Sequence, residues 1–141
     1  MTVKLAPSDR TANCGCGELI VNVSAEPLAV FACSCLNCQR ESGGAFTYNA
    51  IYPEAGVSIT GERKAWRRAG DSGSWVETQF CPTCGGTVFY RMEAWPDVIG
   101  ILAGCFADPE FPKPETLYWP HRRHTWLEFP KDVKLAEEMP D

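Results

Sequence analysis

The chain has 141 residues, of which 45% are hydrophobic and 11% are aromatic. A domain of this length buries roughly 68–70% of its unfolded surface, so we expect one domain over residues 1–141, with a core at about 12–130 and a tail at 131–141. The formal net charge of −5 argues against nucleic-acid binding, which relies on a basic surface.

The first ten residues contain no apolar run of the kind found in signal peptides, and no stretch is long enough to span a membrane. We therefore expect a cytoplasmic protein with no membrane partner. In a reducing compartment, the eight cysteines are expected to bind metal rather than to form disulfides.

Short apolar segments in the first half of the chain predict strands. Leu19, Val21 and Val23 share one face of such a segment, which is the two-residue period of a strand. A helical turn is expected at 35–41, closed by Gly43 and Gly44. The predicted strands of this half are 18–24, 28–32, 46–52 and 57–60.

The second half continues the same pattern. A hairpin is predicted with arms at 63–68 and 75–80 and a turn at 70–73, and further strands are predicted at 87–92, 98–103, 117–119 and 126–129. Many short strands separated by glycine and proline favour an all-β, mainly antiparallel fold with short helical turns. The charged segment 130–141 is expected to be mobile or loosely attached.

Seven of the eight cysteines lie in three closely spaced groups. Such spacing is typical of zinc ligands, and at least one zinc is predicted. The groups are Cys14 and Cys16, then Cys33, Cys35 and Cys38, and then Cys81 and Cys84.

The spacing leaves two partitions of these ligands open. In the simpler one, the two pairs form a closed tetrahedral site and the group of three forms an open one. In the other, Cys81 and Cys84 share ligands with the group of three and leave Cys14 and Cys16 over. Cys105 stands alone and is expected to be a small buried apolar residue; its alternative role is a fourth ligand that closes the central site.

An open three-thiolate site favours an enzyme, because zinc with three protein ligands can hold water or a substrate atom in its fourth position. A rival hypothesis is a non-enzymatic zinc module, in which both metals serve folding and the surface binds a protein partner. A nucleic-acid-binding zinc ribbon is disfavoured by the acidic balance of the chain.

The cysteine pattern resembles the glutathione-dependent formaldehyde-activating enzyme family, which also contains centromere protein V. The resemblance runs from Asn13 to about Phe129, and a late aromatic and basic segment at 117–128 supports it. The motifs that carry it are Cys14-x-Cys16-Gly17, Cys33-x-Cys35-x-x-Cys38 with Arg40-x-Ser42-Gly43 behind it, and Cys81-x-x-Cys84-Gly85.

The resemblance implies a β-tent of antiparallel sheets and two zinc ions per chain. Partial occupancy of the second is expected, because three ligands bind zinc less tightly than four. A structural zinc would be held by Cys14, Cys16, Cys81 and Cys84, and an open, catalytic zinc by Cys33, Cys35 and Cys38. The implied reaction adds glutathione to formaldehyde and gives S-hydroxymethylglutathione, which is carbon–sulfur lyase chemistry in reverse. The implied partners are therefore a small-molecule thiol and a small aldehyde.

The sequence departs from the commoner family pattern at Gln39, where a basic residue is frequent. Arg40, Arg122 and Arg123 are candidates for binding the carboxylates of a glutathione-like ligand, since guanidinium matches carboxylate in two hydrogen bonds. The alternative is a solvated basic face.

Two histidines and the tryptophans complete the candidates. His121 and His124 are either acid–base groups or surface residues. The five tryptophans are expected to lie in the core or over a sheet rather than to form a ligand cage.

Overall fold

The computed structural model describes residues 8–70 and 72–137. Strands dominate it and are joined by short turns and one helix, α1 (Leu36–Ser42). The strands are β1 (Arg10–Asn13), β2 (Ile20–Val23), β3 (Ala29–Cys33), β4 (Thr47–Pro53), β5 (Val57–Thr60), β6 (Lys64–Ala69), β7 (Trp75–Phe80), β8 (Thr87–Met92), β9 (Trp95–Leu102), β10 (Thr116–Tyr118) and β11 (Lys134–Ala136). Three single turns of 3₁₀ helix lie at Glu54–Gly56, Ala103–Phe106 and Pro120–Arg122.

The strands form two sheets. The small sheet has the order β1-β2-β5, and the large sheet has the order β11-β10-β3-β4-β9-β8-β7-β6. Every pair is antiparallel except that β10 runs parallel to both β3 and β11. The prediction of an all-β, mainly antiparallel fold with short helical turns is confirmed.

The main core joins the two sheets. Leu19 and Val21 from the small sheet side are fully buried in one apolar cluster with Tyr52, Phe89 and Ile101 from the large sheet. In β2, Val21 and Val23 are buried whereas the intervening Asn22 is exposed, as the two-residue period requires. This packing fixes the turn between β1 and β2 against the turn between β7 and β8.

The prediction of a loosely attached tail is wrong for residues 130–137. Strand β11 pairs with β10, and Val133 is buried against Leu117 and Ala32. The apolar residues Val133, Leu135 and Ala136 stand among charges, and no residue of β11 itself is buried, with Leu135 54% exposed. The strand therefore depends on its backbone pairing with β10 rather than on an apolar face. Residues 138–141, the rest of the predicted tail, lie outside the described residues.

The predicted strand at 126–129 is also wrong. The amide of Leu127 donates to the carbonyl of His124, which makes a turn, and Trp126 is 71% exposed. Strand β1 was not predicted, because Arg10–Asn13 has only one buried residue, Ala12. Both errors arise where backbone hydrogen bonds, in a turn or between strands, decide the local structure and apolar periodicity does not.

The predicted hairpin is present as β6 and β7, and its turn is closed by a hydrogen bond of 2.7 Å from the amide of Gly70 to the carbonyl of Ser74. Asp71 within this turn lies outside the described residues, as does most of the N-terminal segment 1–10 from which the absence of a signal peptide was predicted. Among the residues that the structure describes, no helix is long and apolar enough to cross a membrane.

Candidate metal centre

The first cysteine cluster brings together two turns from different sheets. Cys14 and Cys16 follow β1, while Cys81 and Cys84 follow β7, and their four sulfurs lie within 4.8 Å of one another. The sulfur of Cys16 is 3.6 Å from those of both Cys14 and Cys81. A tetrahedral zinc with bonds of about 2.3 Å to sulfur requires sulfur atoms about 3.8 Å apart. This donor set therefore fits a closed metal site.

Backbone geometry shapes both turns around the sulfurs. Gly17 and Gly85 have positive φ angles of 82° and 77°, a region that glycine enters without strain, and each closes a turn by donating to the carbonyl of the first cysteine of its pair. The amide of Leu19 donates to the sulfur of Cys14 at 3.3 Å. This hydrogen bond is the main cause that lowers the pKa of Cys14 to about 6.

A hydrogen bond between side chains also joins the two turns. The hydroxyl of Thr83 donates to a carboxylate oxygen of Glu18 at 2.8 Å. The two turns are thus held together by protein contacts as well as by any metal that the sulfurs bind.

The second cluster lies where β3 runs into α1. Cys33 is the last residue of β3, Cys35 is the N-cap of α1 and Cys38 lies in its first turn, and their sulfurs are within 4.8 Å of one another. The sulfur of Cys35 accepts a hydrogen bond of 3.3 Å from the amide of Cys38, the role that a serine or aspartate oxygen usually takes at a helix start. One strand end and one helix cap thus position all three thiols.

Within the described residues, no fourth histidine, cysteine, aspartate or glutamate joins this second cluster. Cys105, the candidate fourth ligand, instead donates to the carbonyl of Thr87 at 3.4 Å and packs against the main core. Its burial raises the pKa of its thiol, so it behaves as the expected small core residue. The cluster offers three sulfur ligands.

The second cluster stabilises one negative charge strongly. The thiols of Cys33 and Cys38 donate to the sulfur of Cys35 and lower its pKa to about 2, while the same contact with Cys35 raises the pKa of Cys33. Further negative charge in so small a volume requires a cation. The chemistry of this donor set therefore fits a divalent metal that replaces the remaining protons.

A buried polar network supports Cys38 from β4 and β8. The amide nitrogen of Asn49 donates to the hydroxyl oxygen of Thr47 at 2.9 Å, and the hydroxyl of Tyr90 donates to the amide oxygen of Asn49 at 3.1 Å. Since the oxygen of Thr47 accepts from Asn49, its own proton is available to the sulfur of Cys38, with which it makes a hydrogen bond. This network was not predicted from the sequence, because its members are spread over 44 positions.

Tyr90 owes its position to a glycine on the neighbouring strand. Tyr90 and Gly100 are direct partners across β8 and β9. A Cβ atom at Gly100 would lie 2.1 Å from the ring of Tyr90, so only glycine leaves the ring this space. The ring is buried and its hydroxyl reaches toward the second cluster through Asn49.

A groove of about 790 Å³ runs between α1 and the large sheet, and it is linked to the second cluster through Thr47, which hydrogen-bonds to Cys38. Arg40 of α1, Trp66 and Arg68 of β6, and Thr47 and Tyr90 of the polar network line it. Its volume is within the usual range of small-molecule sites, about 300–1,000 Å³. This groove was not predicted, since it forms from segments that are distant in the sequence.

A second cavity, of about 320 Å³, opens on the other side of α1. Cys35, Arg40, Trp119 and Arg122 line it, so Arg40 borders both cavities. Arg123 is placed differently, because its guanidinium donates to the carbonyls of Pro120 at 2.7 Å and Leu127 at 3.1 Å. Arg40 and Arg122 thus lie next to the second cluster. Arg123 instead stabilises a turn through its two hydrogen bonds to backbone carbonyls.

Gln39 has a role that its sequence position did not reveal. Its side-chain amide donates to the carbonyl of Ser34 at 2.9 Å and to the carbonyl of Arg122 at 2.8 Å. Both bonds come from one nitrogen and fasten α1 to the preceding cysteine loop and to the turn that carries Arg122. A basic side chain at this position would offer a different set of donors.

The histidines and most tryptophans lie at the surface. His121 is 4.0 Å from Glu137, and His124 is stacked on Trp126 with 5.9 Å between ring centres. Trp66 and Trp95 are 56% and 43% exposed, so neither of these nor Trp126 belongs to the core. Trp66 in β6 and Trp95 in β9 instead lie on the surface of the large sheet, the second of the two expected positions, whereas Trp126 lies in a turn.

Comparison with known proteins identifies a family whose model matches this chain and a solved structure with a similar fold. A family model described as glutathione-dependent formaldehyde-activating enzyme matches residues 9–122, which include both cysteine clusters. The crystal structure of a Rhodobacter sphaeroides protein is similar to this chain with a TM-score of 0.55 and 17% sequence identity. The similarity covers 72% of this chain and 90% of that chain, and at this identity it concerns the fold alone.

Proposed function

Because the chain belongs to the glutathione-dependent formaldehyde-activating enzyme family, we propose that it is a zinc-dependent enzyme of the carbon–sulfur lyase type. Its reaction joins a thiol such as glutathione to formaldehyde or a related small aldehyde. With glutathione and formaldehyde the product is S-hydroxymethylglutathione. The observation that carries the proposal is a cluster of three cysteine sulfurs, with Cys35 in the wall of a cavity of about 320 Å³ that Arg40 and Arg122 also line.

The two clusters have different proposed roles. Cys14, Cys16, Cys81 and Cys84 hold a structural zinc, because four sulfurs complete a tetrahedron and leave no position for substrate. Cys33, Cys35 and Cys38 hold a second zinc with one position open. When bound there, zinc supplies a positive charge that favours the thiolate form of a substrate thiol.

In the reaction, the substrate sulfur attacks the carbonyl carbon of the aldehyde and a carbon–sulfur bond forms. The carbonyl π bond breaks toward oxygen, which takes up the proton that the thiol has lost, so no oxidant or reductant is needed. We favour thiol binding over polarisation of the aldehyde, because three thiolates give the centre a net negative charge and make it a weak Lewis acid.

Arg40 and Arg122 are the proposed contacts for the carboxylates of the thiol substrate. Both line the cavity that contains Cys35, and Arg40 also lines the larger groove. A guanidinium can bind a carboxylate through two parallel hydrogen bonds. Arg123, the third candidate, ranks behind them because its guanidinium already donates to two backbone carbonyls.

We also propose that residues 1–141 form one domain and that the protein works in the cytoplasm. A reducing compartment keeps the thiols of both clusters available to metal. The rival function, a zinc module that binds a protein partner without catalysis, requires only that both metals serve folding.

The proposed activity is tested by the rate at which formaldehyde exchanges with its glutathione adduct. Nuclear magnetic resonance with ¹³C-formaldehyde separates the two species and measures their exchange, including the uncatalysed reaction without protein. We expect the zinc-loaded wild type to accelerate exchange and the double variant Cys35→Ser/Cys38→Ser to leave it at the uncatalysed rate. Equal rates for both proteins would overturn the proposed activity and favour the non-enzymatic module.

A further inference from the structure

One ion pair connects the hairpin β6–β7 to the helix that carries the second cluster. The Nε atom of Arg68 is 2.8 Å from a carboxylate oxygen of Glu41. Glu41 lies three residues after Cys38, so the two side chains share one face of α1. The side chains of Arg68 and Glu41 are only 14% and 22% exposed, whereas most surface ion pairs are well solvated.

Arg68 also lies near the second cluster, because Glu41, its ion-pair partner, is about one helical turn from Cys38. Arg68 lines the 790 Å³ groove together with Thr47 and Tyr90, the two residues whose hydrogen bonds lead to Cys38. The guanidinium is therefore bonded to the helix that carries Cys38 and borders the space available to a ligand.

The position of Arg68 matters because the net charge of the metal-loaded second cluster depends on its fourth ligand. Three thiolates and one divalent zinc carry one net negative charge, and a fourth thiolate raises it to two, whereas a neutral fourth ligand leaves it unchanged. In a partly buried site such charge is weakly screened, so a guanidinium nearby favours the doubly negative state more than the singly negative one.

We propose that Arg68 is a positioning residue that makes the second cluster, once loaded with metal, selective for an anionic sulfur ligand over neutral donors. Glu41 fixes the guanidinium through Nε and at the same time offsets part of its charge. This inference rests on the proposed function, since it concerns the ligand that occupies the open position. It assigns Arg68 to the reacting end of the substrate, whereas Arg40 and Arg122 are assigned to its carboxylates.

The test uses protein loaded with Co²⁺, whose sulfur-to-metal absorption reports ligands directly. Four probes are titrated: 2-mercaptoethanol, 3-mercaptopropionate, cysteamine and imidazole. They present a thiol with a neutral, negative or positive tail, and a neutral nitrogen donor. The variants are Arg68→Met and Glu41→Gln, with Arg67→Met as the matched control, because Arg67 points to the opposite face of β6 and pairs with Glu77.

We expect Arg68→Met to lower the binding affinity of all three thiols by about tenfold and to leave that of imidazole unchanged. Glu41→Gln keeps an oxygen acceptor for Nε but removes the opposing charge, so thiols should bind tighter by a few-fold. Arg67→Met should match the wild type, and thermal unfolding of each variant verifies that it is folded.

Four results would overturn the inference. A loss limited to 3-mercaptopropionate would show that Arg68 binds a tail carboxylate instead. An equal loss of imidazole binding would indicate damage to the site, and weaker thiol binding in Glu41→Gln would contradict the charge argument. If the wild type itself binds no thiol, the proposed function is overturned. If the wild type binds thiols and Arg68→Met binds them equally well, only the inference about Arg68 is overturned.

Discussion

The sulfurs of Cys16 and Cys81 lie 3.6 Å apart, although the residues are separated by 65 positions in the sequence. Their contact joins the β1–β2 turn of the small sheet to the β7–β8 turn of the large sheet. A metal held there cross-links the two layers that enclose the main core. Metal binding at this first cluster is therefore coupled to folding.

Loss of a ligand from the first cluster should damage the fold more than loss of one from the second. Structural zinc contributes on the order of 10 kcal/mol in small domains, so Cys84→Ser should lower the unfolding temperature sharply or abolish cooperative unfolding. Cys38→Ser should lower it by much less. Thermal unfolding followed by circular dichroism measures both, and equal effects would contradict the division into a structural and an open site.

The hydroxyl of Thr47 should be needed for metal affinity at the second cluster. Thr47→Val keeps the shape of the side chain but removes the hydrogen bond to Cys38 and the acceptor for Asn49. Loss of such supporting contacts typically lowers metal affinity about 10–100-fold. Competition with a chromophoric chelator measures the metal affinity. The control is Thr78→Val, which replaces a buried strand threonine that is bonded to the carbonyl of Trp66. The same affinity in both variants would refute a role for Thr47.

Substitution of Gly100 should displace Tyr90. The added Cβ of Gly100→Ala would lie 2.1 Å from the ring, and overpacking of this kind costs about 1–3 kcal/mol of unfolding free energy. Gly104→Ala is the matched control, because its Cβ would meet no atom within 4 Å. Denaturant unfolding compares the two. A Gly100→Ala variant as stable as the control would show that the ring relaxes without cost.

Acid should release metal from the second cluster. The thiol of Cys33 has a raised pKa because of its contact with Cys35. The Cys33 thiol tends to lower the pKa of Cys38, but the hydrogen bond with Cys35 and burial together raise it to about 12. Both thiols therefore carry protons at pH 7 and must lose them to bind metal, whereas Cys35 is already a thiolate.

The affinity of the second cluster for Zn²⁺ should consequently fall as the pH falls, by about a hundredfold per pH unit near neutrality, since two protons are displaced per ion. Titration of the Cys14→Ser/Cys84→Ser variant is unsuitable because its fold depends on those ligands. Wild type with the first cluster filled is titrated with Zn²⁺ at several pH values instead. A slope near zero would contradict this assignment of protons.

The cysteine groups and the alternating apolar segments were readable from the sequence, because ligand spacing and strand periodicity are local properties. The assignment of Cys14 and Cys16 to the same cluster as Cys81 and Cys84 required the resemblance to a known family, since spacing alone left two partitions open. The groove was not readable, because Arg40, Trp66 and Tyr90 meet only after the large sheet has formed. Strand β11 was missed because none of its residues is buried, and its pairing with β10 depends on backbone hydrogen bonds to a segment distant in the sequence.

The most direct test of the account is the metal content per chain, measured for the wild type and for Cys35→Ser/Cys38→Ser, followed by titration with glutathione. The account predicts two zinc ions in the wild type and one in the variant, which stays folded, with a zinc-dependent thiol signal in the wild type alone. One zinc in both proteins and no response to glutathione would contradict the open thiol-binding centre. That result would leave a protein whose only metal serves its fold.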